Sequence, residues 1–445
     1  MRRTKAAVAA TALAGLLLTG CGSDGGNGPE AGKEDKKSGE SVSLAELAVP
    51  SAYDSTKGWD HEIDWVTEDT NADPVTTDGK TVAYIIQSGD GYAVQARDAA
   101  TGKVRWTGKP YQIPTVDYDR WGMSGPRITT VQQGGRSYIV AWATGDTAGD
   151  ALAKSEEVTQ VDIYAADASG DSVAPLHRVS VPVEESPQSN LVRDGGTGLM
   201  LMWDVAGPYR VNIDLTTGKF TQYDSVEDEF DCAELICSSG TVAALTSKGP
   251  VVNGPRGGFG VPGGWVSVDF APEGAEAGET FLGGEQNGKL VGVQDGKFVA
   301  EWRSADSDAT IWSAHDLESG RLLASTSCVN DDASADKYAP VTASPNGAYL
   351  AHGSVVLDTK TGEGVCLGEE GTRRAIGINA IDDDGTVYGT TDADTKPVVE
   401  LKVSANSPTV LPEGTLLPAG ITADGALFVQ RENGLGLRIS VRQKR

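Results

Sequence analysis

From residue 58 onward, short apolar runs alternate with polar turns that contain glycine, and no stretch after residue 18 sustains the 3.6-residue apolar spacing of a helix. The pattern predicts an all-β chain. Four turns share one grammar: residues 98–103 (DAATGK), 214–219 (DLTTGK), 316–321 (DLESGR) and 358–363 (DTKTGE) all read D-x-x-[T/S]-G-polar, with a shortened fifth copy at 167–170 (DASG). Each full copy follows one alternating stretch, such as 92–97 or 209–213, and precedes another, such as 104–106 or 220–223. An Asp accepts backbone N–H bonds inside such a turn, Thr or Ser does the same, and Gly takes the φ > 0 position, so these are hairpin turns. A second set, Asp78-Gly79, Asn346-Gly347, Asp384-Gly385 and Asp424-Gly425, enters apolar strands and predicts type I′ turns.

The spacing of the first grammar sets the architecture. Asp316 and Asp358 are 42 positions apart and Asp167 and Asp214 are 47, which suits one four-stranded propeller blade per 40–50 residues. The longer gaps fit one blade with an insertion at 144–157, and two blades across 214–316, where 241–245 and 265–270 read as strands of a blade without the turn motif. The expectation is an eight-bladed β-propeller, with seven blades as the alternative, whose blades end near residues 110, 182, 224, 270, 328, 368 and 412. The last blade offers 419–422, 427–431 and 435–441 and lacks a fourth strand. Residues 59–67, with Ile63 and Trp65 inward, are expected to supply it and close the ring.

The first twenty residues read as processing rather than fold. Arg2, Arg3 and Lys5 precede an uncharged apolar stretch at 6–18, too short for the ~20 residues that span a bilayer. It ends in Leu18-Thr19-Gly20-Cys21, which resembles the lipobox of bacterial lipoproteins. That resemblance implies a signal peptide at 1–20, a lipidated Cys21, a Gly/Ser/Asp/Lys-rich tether at 21–57 and a propeller domain at 58–445. The stretch 94–106, with its apolar strand, DAATGK turn and closing V-x-W, resembles the repeat of pyrroloquinoline-quinone-like (PQQ-like) propellers. Taken with the lipobox, it resembles the cell-surface propeller lipoproteins of actinobacteria. The repeat family includes dehydrogenases, assembly lipoproteins and binding proteins, so it implies fold rather than activity.

Four cysteines remain after Cys21, an even number that favours disulfides in an exported chain. The preferred pairs are Cys232 with Cys237, across a short turn, and Cys328 with Cys366, at the ends of the outer strands of consecutive blades. No metal site is expected, since neither C-x-x-C spacing nor a paired-His motif accompanies them. No cofactor is expected either, because a quinoprotein needs adjacent cysteines and a haem needs C-x-x-C-H. Residues 304–312 resemble a single degenerate sialidase Asp-box and read as a blade turn. No catalytic residue stands out among His61, His177, His315 and His352, and enzyme status leans to no. The Gly/Pro-rich loop 253–264 reads first as a relaxed hairpin of blade 4 and, as the alternative, as the border of a binding surface, with Arg256 inside it and Trp265 beside it as the candidate residues.

With 37 Lys+Arg against 63 Asp+Glu, the formal charge of −26 makes nucleic acid an unlikely partner, because phosphate binding needs clustered cations. The functional expectation is therefore a membrane-anchored, extracytoplasmic binding or scaffold module for a cell-envelope protein, held at the lipid bilayer through Cys21. The alternatives are a hydrolase or lyase acting on an envelope glycan, with carboxylates and Arg gathered in the channel, and a small-ligand receptor using that channel.

Overall fold

The computed structural model describes residues 44–445 apart from 68–69, 71, 116–124, 150–151, 153, 184–189, 205–207, 224–239, 255–256, 277–287, 330–339, 370 and 432–434. Among the described residues the strands form eight separate sheets, and the one helical element is a short 3-10 turn at Ser267–Phe270. Cys21, Cys232, Cys237 and Arg256 lie outside the described residues.

Each blade is an antiparallel meander numbered here in chain order. Blade 1 runs from the inner strand Val75–Thr77 to the outer strand Val104–Gly108, and blade 2 from Arg127–Gln133 to His177–Pro182. Blade 3 spans Asn190–Asp194 to Phe220–Tyr223, blade 4 Thr241–Thr246 to Phe259–Gly260, and blade 5 Gly288–Gln294 to Leu322–Cys328. Blade 6 spans Thr342–Ala343 to Gly364–Cys366, and blade 7 Ile376–Ile381 to Thr409–Val410. In blade 8, Gly420–Thr422, Gly425–Arg431 and Leu435–Lys444 take Tyr53–Thr67 as their outer strand, in register from Gly58↔Arg442 to Ile63↔Leu437. The N-terminal strand therefore closes the ring as expected.

Blade faces are apolar because every blade is covered by its neighbours. One buried cluster joins blades 1 and 2, another joins 2 and 3, and the series runs unbroken to the cluster of Trp59, Ile63, Val82, Tyr84 and Leu427 that joins blade 8 back to blade 1. The middle strand Arg136–Asp146 is consequently buried on both faces, which explains its continuous apolar run at 138–143.

The D-x-x-[T/S]-G turns join the third and fourth strands of blades 1, 3, 5 and 6. Asp98 Oδ1 accepts from Thr101 N at 2.9 Å and Thr101 Oγ1 at 2.6 Å, and Gly102 N donates to Asp98 O at 2.8 Å. Asp214, Asp316 and Asp358 also accept turn N–H bonds, and all four glycines have φ between +68° and +85°. The glycine has a second duty that the motif alone does not reveal. A Cβ at Gly102 would lie 2.5 Å from Trp59 of blade 8, one at Gly218 2.7 Å from His177 of blade 2, and one at Gly320 2.6 Å from Trp265. In these three turns the glycine is the seat for a ring from the preceding blade.

Several expectations need correction. The shortened copy at 167–170 is not a hairpin: one residue short of the full turn, it sends Gly170–Val173 outward to pair in parallel with Val104–Gly108, covering blade 1's outer edge, before His177–Pro182 completes blade 2. Of the four Asx-Gly pairs expected as type I′, only Asp78-Gly79 has both residues at positive φ, and the unflagged pair Asp295-Gly296 joins it. Asn346 and Asp384 are not at positive φ, and their side chains accept from Ala348 N and Thr386 N. Residues 265–270 are not a strand but the bridge and 3-10 turn after blade 4's short third strand. Packing also begins before residue 58: Tyr53 opens the closing strand, Leu47 is buried, and Arg442, wholly inaccessible, binds Asp60 at 2.7 Å and Ala45 O at 3.0 Å. A charge pair with no solvent must find its hydrogen bonds within the fold, and residue 45 supplies part of that set.

Candidate functional site

The eight inner strands surround the central channel. Strands alternate in direction, so the turn after each first strand and the turn after each third strand open onto one face. Two adjoining cavities occupy the channel and share Thr130, Gln294, Pro340 and Val341 in their walls. The larger, about 500 Å3, lies toward the turn face and is lined by Thr76, Asp78, Gln132, Asp295 and Asn379 among others. The smaller, about 380 Å3, reaches the starts of the inner strands at Asp73 and Arg127 and is walled by Trp142, Leu191, Val291 and Val293.

Two arginines line the smaller cavity. Arg193, on the inner strand of blade 3, donates from Nη1 to Val291 O of blade 5 and from Nη2 to Ala243 O of blade 4, each at 3.2 Å. Its Nε finds no partner, and burial, followed by the charge of Arg210, lowers its pKa to about 10. Arg127, at the start of blade 2's inner strand, lays its guanidinium 5.3 Å from the ring centre of Trp142. Its Nε is buried without a hydrogen-bond partner, and burial lowers its pKa. Neither guanidinium forms an ion pair among the described residues.

A carboxyl sits beside them. Asp194, 5% exposed, accepts from Gly196 N at 2.8 Å through Oδ1, while its Oδ2 is buried without a hydrogen-bond partner. Burial, reinforced by the charge of Asp295, raises its pKa to about 7. Asp295 is itself raised by burial, and its carboxylate accepts from Gln294 Nε2 at 3.1 Å. The other acid of the smaller cavity, Asp73, is paired with Arg431 at 2.8 Å.

The residues singled out from the sequence have other places. Trp265 is 7% exposed and stacks on Phe298 with its ring 5° from parallel, over Gly320 of the next blade. It is a clasp between blades 4 and 5 and not a binding surface, because a ring of that size leaves water wherever a neighbouring glycine makes room. Cys328 and Cys366 form the expected disulfide between blades 5 and 6, with Cα atoms 5.2 Å apart. Residues 304–309 are the turn between two strands of blade 5. His315 is fully buried between Gly320 O and Ser313 Oγ, at 2.9 and 2.7 Å, with its pKa lowered to about 4 by burial, so it is a neutral strut. His177 contacts Thr216 O at 2.9 Å. Asp382, Asp383 and Asp384 are committed to Lys444, Asn346 N and Lys402. Arg127, Arg193 and Asp194 were not read as a site. The available signal was an Arg inside each of two inner-strand patterns, 127–131 and 190–194, where a solvated edge strand would look the same.

No protein-family model matches the chain, and no curated protein does. Among solved structures, the WD40 domain of coronin from Toxoplasma gondii aligns over 90% of this chain and 89% of its own, at 9% identity and a TM-score of 0.28. Dihydro-heme d1 dehydrogenase NirN, in complex with DHE, aligns over 76% of this chain and 65% of its own, at 12% identity and a TM-score of 0.33. The eight-bladed ring rests on the strand pairing itself.

Proposed function

We propose that this eight-bladed propeller is a lipid-anchored, extracytoplasmic binding module that scaffolds a protein partner at the cell envelope, of the actinobacterial cell-surface type with PQQ-like repeats. The observation that carries the reading is the lipobox-like Leu18–Cys21 in a chain whose later residues fold into the ring. Among the described residues the first strand, Tyr53–Thr67, is the outermost strand of blade 8. The ring offers loops on two faces for a partner, and it is rigid because every blade packs on two others. Several acyl chains on Cys21, at ~0.8 kcal/mol per buried methylene, hold such a module firmly at a membrane surface.

In-cell cross-linking tests the reading, with peptides identified by mass spectrometry and a Cys21→Ser form as control. A reproducible envelope protein attached to loops of one face supports it, and recovery of background alone from the anchored form counts against it. A second reading, a hydrolase or lyase on an envelope glycan, is favoured by one observation, the neighbouring carboxyls of Asp194 and Asp295, of which Asp194 holds its proton to about pH 7 as a general acid does. Release of reducing ends from envelope glycan by the wild type, abolished in Asp194→Asn, is the outcome that establishes it.

A further inference from the structure

The smaller channel cavity brings together features that a purely structural channel does not require. Two guanidinium groups, Arg127 and Arg193, line one space of about 380 Å3, and no carboxylate among the described residues pairs with either. Removing a charge from water is costly unless an opposite charge or a full set of hydrogen bonds offsets it. Arg193 donates to two carbonyls, whereas Arg127, half-buried, rests on the face of Trp142 with its Nε–H unpartnered. A guanidinium that is stacked on a ring is held in one plane, and a planar fork matches the two oxygens of a carboxylate or phosphate. Around the arginines the walls are Ile128, Leu191, Val291, Val293 and Val341, with two carboxyls, Asp73 paired to Arg431 and Asp194 bound to Gly196 N, so the space suits an apolar body behind a charged head.

We propose that this cavity is a binding site for a small organic oxyanion, a carboxylate or phosphate ester on an aliphatic or aromatic body, with Arg127 and Arg193 taking the head group. The site deepens the binding-module reading but does not depend on the anchor. It is tested in solution, so its failure leaves the membrane and cross-linking results untouched, and their failure leaves it untouched.

The experiment is calorimetric titration and thermal denaturation of the detergent-solubilised full chain with hexanoate, hexyl phosphate, inorganic phosphate and the uncharged hexanamide. Saturable binding of hexanoate or hexyl phosphate, with a raised melting temperature and at least tenfold weaker binding of hexanamide, is expected. The tighter of the two anions identifies the head group. Arg127→Gln removes no hydrogen bond found in the fold, so it is expected to melt near the wild-type temperature while binding the preferred anion at least tenfold more weakly, and Arg127→Lys is expected to fall between. Should Arg193→Gln lose stability through its carbonyl ties, the Arg127 pair still decides. Absence of saturable binding by every anion, equal binding of hexanamide, or unchanged affinity in a folded Arg127→Gln variant overturns the proposal.

Discussion

Asp194→Asn should make the protein more stable at pH 8 and leave it unchanged near pH 4. In the native ring the Asp194 carboxyl keeps its proton to about pH 7, against an ordinary value of 3.8, chiefly because it is buried and also because Asp295 lies near; Arg193 opposes the shift. Between those values the folded chain holds a proton that the unfolded chain has released, so stability attributable to this group falls as pH rises from about 4 to about 7, and the loss is complete above that. The difference is about three decades in proton affinity. At ~1.4 kcal/mol per decade that is roughly 4 kcal/mol, an upper figure because channel water and local relaxation soften the cost of the charge. Asn carries no charge to bury, retains an oxygen for the Gly196 N–H, and puts an amide where Oδ2 has no partner. Urea unfolding followed by tryptophan fluorescence at intervals from pH 4 to 8, with the disulfide intact, measures the difference between wild type and variant. A gap that opens from near zero at pH 4, widens steadily across pH 4–7 and levels off above about pH 7 at about 2–4 kcal/mol is expected. A variant that tracks the wild type at every pH, or is the weaker protein at pH 8, refutes the reasoning.

Other perturbations follow from the same structure. Asp60→Asn or Arg442→Met alone should cost about 3–5 kcal/mol in chemical unfolding, because each strands a buried charge at the ring closure, whereas the double variant Asp60→Leu/Arg442→Met should cost clearly less than the sum. Ala substituted at Gly102 and at Gly89 tests the clasp: both have positive φ and should lose about 1 kcal/mol to backbone strain, and only Gly102→Ala should lose a further ~1–3 kcal/mol by displacing Trp59. Reducing the Cys328–Cys366 bridge, which closes a 38-residue separation between adjacent blades, should lower stability by about 4 kcal/mol, measured as the shift in urea midpoint with and without dithiothreitol.

The ring was legible because a blade announces itself in its turns. Asp98, Asp214, Asp316 and Asp358 each need a glycine four residues on, and that requirement is local, so the spacing counts blades and places their ends within a few residues of the outer strands. Blade 4 was the least legible, since it lacks the turn motif and residues 265–270 carry apolar alternation that the fold spends on a bridge and a 3-10 turn. Trp265 was misread for a related reason. A glycine-rich neighbourhood suggests an open loop, and only the position of Gly320, 55 residues away on the next blade, shows that the indole is enclosed. The channel arginines and Asp194 were hidden because an inner strand faces a cavity walled by residues from several other blades, and no local pattern distinguishes a charge facing that cavity from one facing solvent.

The proposed lipid anchor is tested by the mass of the mature N-terminal peptide. Protease digestion of the membrane fraction, followed by mass spectrometry of the N-terminal fragment, should find a chain that starts at Cys21 with a diacylglycerol-sized addition, and the Cys21→Ser form should leave the membrane fraction. A mature chain that starts elsewhere without lipid, together with a Cys21→Ser form that remains membrane-bound, contradicts the account.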